Sequence, residues 1–478
     1  MKNPYEKLIA YQRGLFARLE EFFRRATGQT VSEFATIDNF RIVIRKQAHI
    51  IAPRGEDAYR WAHEEFSKFY REQGPEIFRL AQGLCGFKLV LGGGSRFLES
   101  QLNAVSSSLL YADTIIVPDP VLPWLESERQ EERFRHVLFL QAVFGVLHLK
   151  PLVDADLPYP AVVVVPTWEK TLQGKDLQTQ NAVWQLEADV LAHFVDPGIK
   201  SIQDALEMAK QRPDALVKAV ERHSLFIAPG GSVGETLSAS FRRYEKEMQT
   251  WRTKDWLKQY QKLPTGIKLM NIILERIEPQ YFLLENAEEF HSHPLLALEQ
   301  QAHYYKLVSQ TNSARLARLG FLNGKTQNLI DGFGSQRLKW LSKVPIAALV
   351  ELRKNNENAA FRKRLENVVG KMHDSTVGDV EKVATEISHE LTSAITDHDQ
   401  EVVKIQKKYS RIHGKTAVAS WAALGSLLIP SLVPFLGTAA PFVLAAKYTS
   451  NKLDERAEKR GHAKSLLGVL ATVKNDAV

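Results

Sequence analysis

A chain of 478 residues with 44% hydrophobic and 24% charged content has material for a large core and for about two or three domains, and its composition excludes a disordered chain and a multi-span transporter. Lys and Arg outnumber Asp and Glu by 62 to 55 and the pI is about 9.1, which permits a nucleic-acid or other polyanionic partner without requiring one. The single cysteine, Cys85, excludes an intrachain disulfide and a cysteine-built zinc site, and fits a reducing compartment.

The start, MKNPYEKLIAYQRGLFARLEEFFRR, lacks the apolar core of an export signal, so a cytoplasmic location is expected. Met1 to Ala26 reads as an amphipathic helix, with Tyr5, Leu8, Leu15, Phe16, Leu19, Phe22 and Phe23 on one face. Glu33 to Ile51 contains the alternating FRIVIRKQAHII, a half-buried candidate strand, and Gly55 to Leu84 returns to helix.

The pattern then changes. Phe87 to Leu91 (FKLVL) runs into Gly92, Gly93, Gly94 and Ser95, and a helix-like stretch leads to a second apolar run, TIIVP, at Thr114 to Pro118. Strand, glycine turn, helix and strand in that order outline a parallel βαβ unit. Further runs at Ala161 to Pro166 (AVVVVP) and Ser224 to Pro229 (SLFIAP) extend the prediction to an open, mostly parallel sheet over about residues 86–235. Residues 239–340 read as helical throughout, and glycines at 320, 324, 332 and 334 mark a boundary. Ile346 to Leu365 reads as one helix, and apolar residues from Val380 to Ile412 continue at helical spacing, on the order of 50 Å of further helix.

The segments are therefore 1–85, helical with a candidate strand; 86–238, a parallel α/β core; 239–342, helical; 343–415, long amphipathic helices; and 416–478, an apolar hairpin with basic flanks. The expected fold class is α/β with predominant helix.

Two glycine loops are candidate phosphate or nucleotide sites: Gly92, Gly93, Gly94 and Ser95 after the first run, and Gly230, Gly231, Ser232 and Gly234 after the fourth. Glycine lets backbone N–H groups approach a phosphate at a helix start. Neither spacing is that of the dinucleotide fingerprint or the Walker loop, and tight turns alone would explain the glycines. Asp119, at the end of the second run, is the candidate catalytic carboxylate, for Mg²⁺ chemistry under an enzyme reading only; Asp113, Asp154 and Asp156 precede their strands. His291, His293 and His303 do not form a ligand set for a metal at a spacing that suits helix, and no metal or other cofactor is predicted.

Thr416 to Ala446 carries no charge and no histidine. It is longer than the ~20 residues one spanning helix needs, and Pro430, Pro434 and Pro441 divide it into two apolar helices. Lysines and arginines flank both ends, which favours a hairpin with both ends on the inner side and attraction to anionic lipid. Trp421, Leu424, Leu427, Leu428, Leu432, Phe435, Leu436 and Phe442 are the residues expected to touch membrane; a helical pair buried in the protein needs the same residues.

Three functions compete. The first is a cytosolic sensor or scaffold with a membrane-interacting C-terminal hairpin, anchored or peripheral at the inner face of the cell membrane, laid out like a bacterial toxin-like or phage-defence effector. The second is a nucleotide-binding enzyme or Mg²⁺-dependent nuclease built on the α/β core. The third is a non-catalytic subunit of a larger or self-associated complex. No motif specifies a reaction, and the balance leans against catalysis.

Overall fold

The computed structural model describes residues 4–34, 40, 52–92, 98–125, 132–165, 177–251, 254–290, 292–296, 298–318, 346–374 and single positions between 386 and 408. The chain is mostly helical around a small parallel sheet. Strands β1 (Lys88–Leu91), β2 (Thr114–Pro118) and β3 (Val162–Val165) form from three of the predicted runs. Their continuous apolar sequence suits strands covered on both faces. Strand β4, His293–Leu295, completes the sheet in the order β3-β2-β1-β4, all parallel. Val90 pairs with Ile116, Ile115 with Val162, and Leu91 with Leu295.

Helices α1 (Glu6–Thr27) and α2 (Ala52–Gln82) pack along each other, as their amphipathic patterns predict. Phe16, Leu19, Phe22 and Phe23 of α1 are buried. They join an aromatic core with α5 (Glu132–Leu147): Phe22 and Phe139 lie 4.7 Å apart, and Phe40 stacks on Phe144 at 3.9 Å and 9°. Helix α1 also closes a sheet edge. Gln12, 1% exposed, donates to the Val164 carbonyl and accepts from the Val164 N–H, each at 2.8 Å. One side chain thus stands in for a neighbouring strand on β3, blunting an edge that would otherwise offer unpaired backbone groups. Of the candidate strand in Glu33 to Ile51 only Glu33, Phe34 and Phe40 are described: Val31–Glu33 is a 3₁₀ turn, and Phe34 and Phe40 are buried.

Between the strands lie α3 (Leu98–Ser108), the short α4 (Leu122–Leu125), α5 and α6 (Lys150–Asp154). After β3 come α7 (Leu177–Phe194), α8 (Ile202–Gln211), α9 (Pro213–His223), α10 (Leu237–Trp251), α11 (Lys254–Lys262) and α12 (Thr265–Glu289). Helix α12 packs on β1, β4, α7, α8 and α9, and α13 (Glu299–Arg318) packs on α7 and α12.

Two expectations are corrected here. Ser224 to Pro229 is not a strand: Ser224 ends α9 at φ 50°, and Leu225 to Ala228 are buried but unpaired with the sheet. The Tyr304 hydroxyl takes over the strand's role by accepting from the Ile227 N–H at 2.6 Å. The fourth strand is instead His293–Leu295, inside the stretch read as helical throughout. A buried apolar run satisfies either environment, and β4 is too short, with a proline at its centre, to show a period.

The C-terminal part departs from prediction at one point. Ile346 to Leu365 is two helices, α14 (Ile346–Lys354) and α15 (Ala359–Asp374), because Asn356 and Asn358 adopt left-handed φ of 51° and 61°. Asparagine tolerates that conformation better than other side chains with a Cβ. The described positions between Glu386 and Lys408 are helical and run antiparallel to α15. Arg364 meets Ser393 at 3.1 Å and Asp397 at 2.5 Å, and Lys408 pairs with Glu357. Residues 416–446 lie outside the described residues.

Candidate functional site

Strand order reverses between β1 and β4, because the chain moves from β1 to β2 and β3 on one side and returns to the other for β4. In open parallel sheets such a reversal leaves a crevice at the carboxyl ends of the strands, where ligands commonly bind. Gly92 sits at that point. Its N–H donates to the Leu295 carbonyl at 3.0 Å, and a Cβ there would fall 2.7 Å from the Leu283 side chain of α12. A side chain at this position would have to displace Leu283, and Gly93, Gly94 and Ser95 lie outside the described residues.

The second glycine loop reaches the same rim. The Gln300 amide, in the first turn of α13 just beyond β4, donates to the Gly231 carbonyl at 2.6 Å. Gly230 and Gly234 have φ of 72° and 85°, conformations that favour glycine. Ser232 is exposed between them, and Glu235, bound to Ser240 at 3.1 Å and Arg243 at 2.5 Å, fixes the loop to α10. Gly92 and Gly231 thus each bond to the connection from β4 to α13, at Leu295 and Gln300. Residues Leu295, Leu298 and Gln300 of that connection carried no signal in the sequence, because their placement depends on a strand that has no pattern.

Asp119 is 2% exposed, and both oxygens are engaged: Oδ1 accepts from the Val121 N–H at 2.9 Å and Oδ2 from the Leu122 N–H at 3.0 Å. It caps the turn into α4, which the turn chemistry of aspartate predicts. The Tyr70 phenol lies beside it, and burial together with the Asp119 charge holds that phenol well above its ordinary pKa. Around this cap is an aromatic group: Tyr59 stacks on His136 at 3.7 Å and donates to its carbonyl at 3.0 Å, and Trp124 stacks on Phe139 at 4.3 Å. Asp154 is at the other end of the sheet, exposed and paired with Lys150 at 2.8 Å. The carboxylates considered together in the sequence are therefore not brought together at the carboxyl rim.

The histidines also separate. His293 is buried in β4 beside Phe87, with rings 5.4 Å apart, while His303 Nε2 lies 3.0 Å from the Ser224 carbonyl; His291 is outside the described residues. Among the described residues no group of three or more His, Cys, Asp or Glu is placed to hold a metal ion.

Charged groups elsewhere in the interior are strongly perturbed. Glu187 on α7 is 4% exposed, and burial with the nearby Glu278 pushes its carboxyl up to about 8. Lys88, at the amino end of β1, donates to the Leu84 carbonyl at 2.7 Å and is pushed down to about 8 by burial. At the same end, Asp113 accepts from Arg362 Nε at 2.9 Å and lies 3.5 Å from Arg353 Nη2. Burial and the neighbouring Arg362 push Arg353 down to about 10.

Comparisons with protein-family models, with curated proteins and with solved structures give no match to this chain.

Proposed function

We propose that this chain is a sensor or scaffold whose α/β and helical body carries a C-terminal segment that acts at a membrane. The observation that carries the reading is the run Thr416 to Ala446, free of charge between two basic borders. The helical positions up to Lys408 return along α15 to Glu357. Lys404, Lys407 and Lys408 are exposed just before the apolar run, suited to an anionic lipid surface. Among the described residues no helix is long and apolar enough to cross a membrane. The effector works by release: a ligand or partner that binds one arrangement of the body more tightly shifts the tail toward lipid.

The test is fractionation of the full chain beside a form lacking residues 416–446, followed by dye release from vesicles of anionic lipid. The full chain is expected in the membrane fraction and to permeabilise vesicles, and the shortened form to do neither. A full chain that is wholly soluble and monodisperse without detergent, and inert toward vesicles, overturns the reading.

A second reading, a nucleotide-binding enzyme, is supported by the β1/β4 crevice, where Gly92 bonds to Leu295 and Gly231 to Gln300. Asp119 is already used as a cap, so this reading now rests on the glycines. Titration calorimetry with ATP and Mg²⁺ on the wild type and on Gly93→Val separates it: binding lost in the variant supports it, and no heat with either protein removes it.

A further inference from the structure

The C-terminal helices are held on the sheet by a polar centre. Arg353, Arg362 and Asn358 are 4%, 3% and 6% exposed, and all three point at the segment between α3 and β2. Arg353 donates to the carbonyls of Leu109 at 3.5 Å and Asp113 at 3.1 Å, and Asn358 donates to Leu110 at 3.1 Å. Arg362 donates to the Asp113 carboxylate at 2.9 Å, to Leu110 at 3.4 Å and to the Glu357 carbonyl at 2.6 Å. Asp113 Oδ2 also accepts from the Phe87 N–H at 3.0 Å, which ties the cluster to the start of β1. The left-handed turn at Asn356 and Asn358 is what aims these groups, and Asn356 Oδ1 accepts from Arg362 at 2.5 Å. Apolar contacts surround the centre, with Leu349, Leu352, Phe361 and Leu365 buried and Phe361 6.1 Å from Tyr111.

Two guanidiniums facing one carboxylate leave the centre with an excess positive charge. Attraction between buried charges is offset by what each loses in leaving water, so such a centre adds less net stability than packed apolar residues of the same volume. Every group in it regains partners from water when the helices lift away. The contact has the make-up of a reversible docking surface, and interfaces between moving parts of one chain are more polar than a fixed core.

We propose that α14, α15 and the helical positions between Glu386 and Lys408 form a clamp that docks through Asp113 and releases from the sheet as one unit, before the body unfolds. In the membrane-acting reading above, on which this part of the proposal rests, release is the step that frees the apolar run. The body's side of the clamp is the amino end of β1 and β2, so a shift of either strand at its carboxyl end is carried along a rigid strand to Phe87 and Asp113.

The experiment uses the full chain with spin labels on the natural Cys85, which is exposed, and on Lys404→Cys. The distance between them is followed in rising urea, beside the far-UV signal of the whole fold. The distance is expected to lengthen at lower urea than global unfolding in the wild type, and at lower urea still in Asp113→Asn. Asn358→Gly retains the left-handed turn and removes the bond to the Leu110 carbonyl while leaving the ion pairs in place, so its release point falls by a smaller amount; it decides the matter alone if Asp113→Asn does not fold. Lengthening that coincides with global unfolding in every folded variant overturns the clamp. Binding of the same proteins to anionic vesicles separates the two claims. Binding that rises with release supports both, whereas release without vesicle binding supports the clamp and overturns the membrane reading.

Discussion

Strand β2 is bracketed by two buried aspartates that do different work. Asp119, after its carboxyl end, gives both oxygens to backbone N–H groups two and three residues on. Asp113, before its amino end, is held by Arg353 and Arg362, some 240 and 249 residues away in the chain. The residue type is the same, the strand is the same, and burial is similar. The difference lies in what the neighbouring elements present: at the carboxyl rim a local turn supplies donors, and at the amino rim a pair of distant helices supplies cations. A buried aspartate is thus no indication of chemistry until its partners are known, and the amino rim, opposite the end where ligands usually bind, carries the heavier electrostatic load.

The largest effect is expected for Asp113→Ala, which leaves two buried guanidiniums without their carboxylate. Breaking a buried ion pair from one side costs about 3–5 kcal/mol, to be read by urea denaturation of the variant. A cost below ~1 kcal/mol would mean that water already satisfies the arginines and that the contrast between the two rims is false. Next comes Glu187→Gln, a control in which a buried carboxyl has no ion pair among the described residues. With its folded pKa raised to about 8 from the ordinary 4.5, the folded state binds a proton more tightly than the unfolded state does. Its contribution therefore falls as pH rises from about 4.5 to about 8 and is most unfavourable above that window. Glu187→Gln should melt higher than wild type at pH 8.5, with the gain shrinking toward pH 5; a gain independent of pH would show that the carboxyl ionises normally.

Asp119→Ala removes both acceptors of the cap and should cost about 1 kcal/mol, whereas Asp119→Asn, which keeps one acceptor oxygen, should cost about half of that. Equal losses for both would show that the negative charge beside Tyr70, and not the cap, is what the site uses. The smallest change is Arg364→Ala, which breaks the surface pair with Asp397 and should fall within ~0.5 kcal/mol. A larger loss would mean that the antiparallel helix depends on that pair, and would extend the heavy electrostatics of the amino rim to its outer face.

Much of the α/β layer was legible in the sequence. The runs at Lys88–Leu91, Thr114–Pro118 and Val162–Val165 are apolar and rich in β-branched residues, the pattern of strands buried on both faces. The glycine turn at residues 230–234 was also visible, since a turn depends on backbone a few residues away, whereas Asp119, read as a catalytic candidate, shows its cap only in the structure. Ser224 to Pro229 misled because an apolar run records burial and not pairing. The break between α14 and α15 was available in Asn-Asn-Glu-Asn, a cluster able to host left-handed turns, but it lies between two strong helical patterns.

The amino acids alone determined what holds at short range: which segments are amphipathic, where apolar strands run, where the chain turns, and that one C-terminal stretch has no charge. Only the tertiary structure decided which stretch became the fourth strand, that Gly231 is held by Gln300, that Gln12 closes an edge, and that Asp113 has two cationic partners. Those pairings join residues separated by tens to hundreds of positions. Local sequence carries no record of them, because a side chain's partner is set by how whole elements pack and not by its neighbours along the chain.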